Sequence, residues 1–117
     1  MSDITLTGDL LSTVASSSAK PVCRIGDSDV FHDCSVPVNA EGSTNVFVNG
    51  IGVFRLGDSN NTHIINGSEP CSSSHSAPLA QASETVFING KGCSRIGDSF
   101  GNGCTMTAEG SQNVFAG

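Results

Sequence analysis

Apolar residues in this chain come in short alternating runs, and the runs recur. Val46-Phe47-Val48 and Val86-Phe87-Ile88 each set side chains alternately on two faces, the period of a strand with one buried side. Each run is followed by Asn-Gly, at Asn49-Gly50 and Asn89-Gly90. That pair is favoured where both central residues of a type I′ turn need positive φ. Return strands are predicted through Val53-Phe54-Arg55-Leu56 and Cys93-Ser94-Arg95-Ile96, stopping at Gly-Asp. Glycine supplies an unusual backbone angle there, and the aspartate can accept from nearby amides. Both segments read as β-hairpins.

The hairpins belong to a repeat. Arg-aliphatic-Gly-Asp-Ser occurs at Arg24–Ser28, Arg55–Ser59 and Arg95–Ser99, spacings of 31 and 40 residues. The outgoing strand also occurs three times, the last as Asn113-Val114-Phe115-Ala116. That third copy is split. Pro21-Val22-Cys23-Arg24-Ile25 is a return strand with no outgoing partner before it, so a third hairpin requires the last strand to pair with the first. The expected fold is all-β: three hairpin repeats in a closed, pseudo-threefold domain that leaves no free sheet edge at the seam. Connecting arms span residues 28–42, 59–82 and 99–110. They are rich in Ser, Asn, Gly and Pro, and they are expected to contribute nothing to a core. Residues 1–20 form an N-terminal extension outside the repeat domain of residues 21–117. Ser16-Ser17-Ser18 reads as a linker, while Ile4 and Leu6 alternate well enough to add a short edge strand.

Composition supports this reading. The chain has 117 residues, room for one domain. It holds 14 Gly and 6 Phe but no Trp or Tyr, which is turn-rich β composition. A net charge of −6 excludes a protein that neutralises a row of phosphates, so no nucleic acid partner is expected. No stretch approaches transmembrane length, and the acidic start Met1-Ser2-Asp3-Ile4 is no secretory signal. Apolar content is thin, so something besides hydrophobic burial is expected to hold the fold.

Five Cys and three His suggest what that is. An odd cysteine count cannot pair fully within one chain, and thiols mixed with imidazoles point to metal ligation and a reducing compartment during folding. His32 follows Asp27 by five residues, His63 follows Asp58 by five, and Cys104 follows Asp98 by six. Under pseudo-threefold symmetry these side chains occupy equivalent places and converge on one axis. His75, in the longest arm, offers a fourth ligand, although Cys71 in the same arm or Cys34 beyond His32 are alternatives to it. Three imidazoles and a thiolate make a closed tetrahedral set suited to structural zinc, with no vacancy for a catalytic water. Cys23 and Cys93 differ by one residue in phase relative to their arginines, which puts them on opposite faces as buried packing residues. With one thiolate as ligand, the remaining cysteines are expected to be unpaired.

The recurring Arg and Asp read as turn capping with exposed ion pairs of about 0–1 kcal/mol each, since active sites are single constellations of unlike groups. Gly101-Asn102-Gly103 lacks the Lys-Ser/Thr and the helix of a phosphate loop.

With strand–Asn-Gly–strand–Arg-x-Gly-Asp units, arms carrying His and Cys, and termini that pair, the chain resembles the PAAR-repeat family over residues 21–117. The signature itself is degenerate: Pro21-Val22-Cys23-Arg24 keeps Pro and Arg, whereas Gly52-Val53-Phe54-Arg55 and Gly92-Cys93-Ser94-Arg95 keep only Arg. The resemblance implies a small cone of three hairpin units with zinc (iron being the lesser candidate) at the apex, bound by His32, His63, His75 and Cys104. It implies no enzyme and no small-molecule substrate. The expected role is to cap and sharpen a homotrimeric β-helical spike, one copy per trimer. Such a spike belongs to a phage tail baseplate or a type VI secretion apparatus and transiently meets the target cell's outer membrane. Because the chain stops directly after its last strand, a dedicated tip without an effector domain is expected, made in the cytoplasm without a signal peptide. Two other classes compete: a small zinc enzyme in which one donor gives way to water, and a secreted binding module stapled by disulfides among Cys23, Cys34, Cys71, Cys93 and Cys104.

Overall fold

The computed structural model describes residues 19–117 and the backbone of Ile4–Leu6. The proposed linker at Ser16-Ser17-Ser18 lies outside the described residues. Among those described there is no helix, and nine short strands carry the fold. Strand β3 (Val46–Val48) pairs antiparallel with β4 (Ile51–Gly52), and β7 (Phe87–Ile88) with β8 (Lys91–Gly92). Both turns have the left-handed angles expected of them, φ 56° and 77° at Asn49-Gly50 and 55° and 78° at Asn89-Gly90. The split hairpin forms from the two ends of the repeat region: β2 (Lys20–Pro21) pairs antiparallel with β9 (Phe115–Ala116). Strand β1 (Ile4–Leu6) adds in parallel to β3. A fourth hairpin, β5 (His63–Ile65) with β6 (Ser73–His75), lies in the longest arm.

The return strands are shorter than expected, for an architectural reason. Val53 and Cys93 still donate their amides to Val46 O and Val86 O of their own hairpins (3.1 and 2.9 Å), and from there each return segment pairs with the neighbouring unit. Arg24 bridges Val53, Arg55 bridges Cys93, and Arg95 bridges Val22. Three backbone hydrogen bonds close the loop: Phe54 N–H donates to Cys23 O (3.1 Å), Ser94 N–H to Phe54 O (3.0 Å), and Cys23 N–H to Ser94 O (3.2 Å). The arms make a second closed set, in which Asn39 bridges Asn60, Leu79 bridges Phe100, and Thr107 bridges Asp29.

Strand alternation across the first ring sorts side chains into two cores. Val22, Val53 and Cys93 turn toward the hairpins and pack with Val46, Val48, Ile88, Val114 and Ala116. Cys23 and Phe54 turn the other way and pack with Ala77, Leu79 and Phe100. Cys23 and Cys93 therefore lie in different cores, both wholly buried. Burial pushes each thiol up to about 12. One expectation fails here: the arms do build core, because Ala77, Leu79 and Phe100 all come from them. The arms leave Val30, Phe31, Val36, Ile64 and Met106 exposed, but Ala77, Leu79 and Phe100 turn inward and pack with Cys23 and Phe54.

The Arg-Asp motif is also more than an exposed pair. Gly26, Gly57 and Gly97 are left-handed (φ 85°, 87° and 90°), which folds each aspartate back onto the arginine three residues earlier. Asp98 accepts from the Arg95 amide at 2.7 Å and from Nε and Nη2 of its guanidinium at 3.1 and 2.9 Å. The same three bonds recur at Arg24–Asp27 and Arg55–Asp58. All three aspartates are buried and the arginine side chains nearly so. The pairs are bidentate and largely shielded, so a value for solvated surface pairs does not apply to them.

Candidate metal centre

The arms carry their donors on tight turns. His32 opens a two-residue loop, its amide and carbonyl both bonded to Ser35, with Asp33 in the left-handed region. His63 and His75 stand directly opposite each other on β5 and β6. Cys104 follows a turn through Asn102-Gly103, both left-handed, closed by its amide to the Gly101 carbonyl. That turn is the use of the glycine-rich stretch.

These turns bring His32, His63, His75 and Cys104 into one group whose donor atoms all lie within 4.8 Å of one another. The Nε2 atoms of His32 and His75 are 3.1 Å apart, and Cys104 Sγ lies 3.5 Å from Nε2 of both His63 and His75. Tetrahedral zinc with ordinary bond lengths would separate two nitrogens by about 3.3 Å and a nitrogen from a sulfur by about 3.6 Å. The donor set fits such an ion in number and chemistry, and these three pairs fit it in spacing.

Neighbouring groups orient the donors. His63 Nδ1 lies 2.7 Å from the Asn61 carbonyl; a proton on Nδ1 donated there leaves the Nε2 lone pair facing Cys104. The Asn60 side-chain amide donates to Cys104 Sγ at 3.6 Å, while its oxygen accepts from Ala77 N–H at 2.8 Å. Burial, then the nearby His63 and His32 rings, push His75 below the ordinary imidazole range, favouring the neutral form that binds metal. Sequence reasoning overlooked Asn60 and Asn61. Asn60 was findable, since it sits two residues past Asp58, in phase with Asp29 and Phe100, whereas Asn61 acts through its backbone and left no signal.

The remaining cysteines correct two expectations. Cys34 and Cys71 form a disulfide with each other, so neither stands in for His75, and not every cysteine outside the donor set is unpaired. The two are far apart in sequence, and only the folding of the arms reveals that both sit on turns that meet. Cys23, Cys93 and Cys104 are free thiols.

A small all-β chain of interlocked hairpins, with a His/Cys group able to hold a metal ion, defines the class. Comparison with known families narrows it: a family model described as PAAR motif matches residues 32–108. The chain belongs to the PAAR motif family, which is associated with spike-tip proteins of contractile injection systems. No curated protein matches the sequence. No helix among the described residues is long and apolar enough to cross a membrane.

Proposed function

We propose that residues 21–117 cap the end of a homotrimeric β-helical spike, one chain per trimer, and taper it for piercing an envelope. On this reading the domain is a pseudo-threefold cone, residues 1–20 are an extension, and the machine is a phage tail baseplate or a type VI secretion apparatus. The observation that carries it is the closed ring of Cys23, Phe54 and Ser94, with three like hairpins hung on it. One chain thereby offers three related faces, as a trimer's end requires. Each hairpin also turns a phenylalanine outward at the same position, Phe47, Phe87 and Phe115, of which Phe87 is 58% exposed. Three apolar anchors at matched positions suit a symmetric partner whose terminal strand edges are unpaired.

Zinc is the proposed resident ion and His32, His63, His75 and Cys104 its ligands. A bound ion would supply folding free energy where the arms become too narrow for a core. Four protein donors fill a tetrahedron, so the role is structural, and water activation, which needs an open position, is disfavoured.

The test is binding of the metal-loaded chain to a candidate trimeric spike tip, read by light scattering with metal analysis. One chain and one ion per trimer is expected. Three chains per trimer, or no binding by a metal-replete chain across the candidate spikes, would overturn the capping role. His32→Ala and His63→Ala should each lower metal content and melting temperature together. Full occupancy with an unchanged melting temperature in both would remove the ligand assignment.

A further inference from the structure

The disulfide is the one strong feature near the donor cluster that the capping role does not use. Cys34 lies two residues beyond His32, in the loop of its hairpin, and Cys71 lies four before His75, at the turn leading into β6. The bond therefore joins the arm that carries His32 to the arm that carries His63 and His75.

All three seams between arms carry backbone bonds, that between the His32 arm and the longest arm through Asn39, which bridges Asn60, and through Asn61 N–H, which donates to Val38 O at 2.8 Å; what differs is the His32 loop itself. The His32 arm is laced to the Cys104 arm by backbone, with Asp29 bridging Thr107 and Val30 N–H donating to Met106 O at 2.8 Å. The Cys104 arm is laced to the longest arm, with Leu79 bridging Phe100 and Gly101 N–H donating to Pro78 O at 2.9 Å. Between the His32 loop and the β5–β6 hairpin, the hydrogen bonds are exposed ones that use side chains. Ser35 Oγ donates to Ile64 O at 2.8 Å, and Asn66 N–H reaches Asp33 Oδ2 at 3.4 Å. Yet His32 and His75 must face each other across this seam, their rings stacked with centroids 5.1 Å apart.

We propose that Cys34–Cys71 is a redox-sensitive clamp on the metal site, tying the His32 loop to the β5–β6 hairpin where only side-chain hydrogen bonds join them, and setting how fast the ion escapes. This rests on the ligand assignment above. With the bond intact, His32 cannot swing away from His75, and a metal that loses one ligand is recaptured. A dithiol reductant opens the clamp. Its thiolate attacks one sulfur to give a mixed disulfide, and its second thiol displaces the other. The reductant leaves as a cyclic disulfide, and two electrons and two protons remain on Cys34 and Cys71 as thiols. The oxidised form then belongs to an oxidising compartment and the loosened form to a reducing one.

Zinc release from the loaded, full chain into an excess of chromophoric chelator tests this. Four samples are compared: oxidised parent, parent reduced by a phosphine that does not compete for zinc, and Cys34→Ser/Cys71→Ser with and without the phosphine. Thiol titration of the denatured parent, expected at three before reduction and five after, confirms the starting states. Release should be about tenfold faster or more from the reduced parent and from the double variant, and the phosphine should not change the variant's rate. Equal rates in oxidised and reduced parent would overturn the clamp, as would slower release after reduction, which would mean that the freed thiolates join the ligand set. If the double variant fails to fold, the reduced parent carries the comparison alone. A parent that takes up no zinc in either state would remove the ligand assignment itself, an outcome distinct from equal release rates.

Discussion

Asp98→Ala isolates what the buried Arg-Asp forks contribute. Asp98 is fully buried and accepts three hydrogen bonds from Arg95, one from the amide and two from the guanidinium of a side chain that is 12% exposed. The carboxylate holds the Arg95 guanidinium above its ordinary range, chiefly through that hydrogen bond. Removing it leaves a cation short of a partner and an amide with no acceptor. Three charge-assisted bonds at about 1.5–3 kcal/mol each would overstate the loss, because water and neighbouring carbonyls recover part of it. Breaking a buried pair by deleting one partner costs about 3–5 kcal/mol, and the residual exposure of Arg95 places the expectation near the lower end, about 3 kcal/mol. For a chain of this size that corresponds to a fall of roughly 10 °C in melting temperature. Asp27→Ala and Asp58→Ala should cost somewhat less, since those aspartates retain 5% and 4% exposure. Urea denaturation of metal-loaded protein at fixed free zinc measures all three. Arg95→Met/Asp98→Ala should recover part of the loss by removing the stranded cation. If all three alanine variants lie within about 1 kcal/mol of the parent, the forks behave as surface pairs and the reasoning fails.

Three further outcomes are expected. Phe54→Ala empties a fully buried site beside Phe100, whose ring centroid is 5.8 Å away; it should cost about 3–5 kcal/mol in the same assay, and a loss under 1 kcal/mol would place Phe54 outside the core. Asp29 is buried with neither carboxylate oxygen hydrogen-bonded, and burial, then Asp27, push it up to about 8. Its folded form therefore holds a proton that the unfolded chain releases near pH 4, so its contribution is whole below pH 4 and is lost as pH rises through about 8. Asp29→Asn should gain on the parent in denaturation series between pH 5 and 9, and parallel curves would refute the assignment. Deleting residues 113–117 removes β9 with the buried Val114 and Ala116; amide spectra should lose their native dispersion, whereas a cooperatively folded monomer would show the ring closes without it.

The hairpins, their turns and the pairing of β2 with β9 were legible because each rests on local chemistry read in phase. Asn-Gly demands a turn, alternation demands a strand, and the orphaned strands at 21–25 and 113–116 complete a third hairpin only on each other. His32, His63 and Cys104 were legible for the same reason, as positions counted from a repeated aspartate. What escaped depends on three-dimensional neighbours. The departure of each return strand to the next unit leaves no local mark, because a strand pattern does not name its partner. The Arg-Asp pairs looked exposed because they are charged and lie at turns; their burial comes from the arms folding over them. The Cys34–Cys71 bond joins two loops whose proximity is set by the arms as a whole, and an odd cysteine count concealed it.

The thin apolar content is offset by polar groups used as structural parts, each in triplicate. Ser43, Ser83 and Ser111 sit three residues before Val46, Val86 and Val114, and each hydroxyl accepts from that valine's amide. Ser43 and Ser111 donate in turn to Asn89 and Asn49, side chains of a neighbouring hairpin's turn, while Ser83 bonds the Gly117 carbonyl. Glu41 and Glu109 accept from the amides of Ser59 and Ser28, and Gln81 accepts from that of Ser99. Much of the acidic surplus is thus bound into turns: three aspartates hold three of the chain's five cationic side chains, and two glutamates hold backbone amides across seams. Such stitching works only where the groups it serves are paired, since a buried polar atom without a partner is costly. Among the described side chains the buried orphans are Asp29, through both carboxylate oxygens, and Asn39 Oδ1, and both residues belong to the arm ring. The arm ring pairs polar Asn39, Asn60, Thr107 and Asp29 on some sides and apolar Leu79 and Phe100 on another. Asn60 is the member that reaches out of it, to the Cys104 sulfur. The donor cluster therefore stands directly on the layer where apolar packing gives out, and that is where an ion held by four side chains would add most to a fold with so little core.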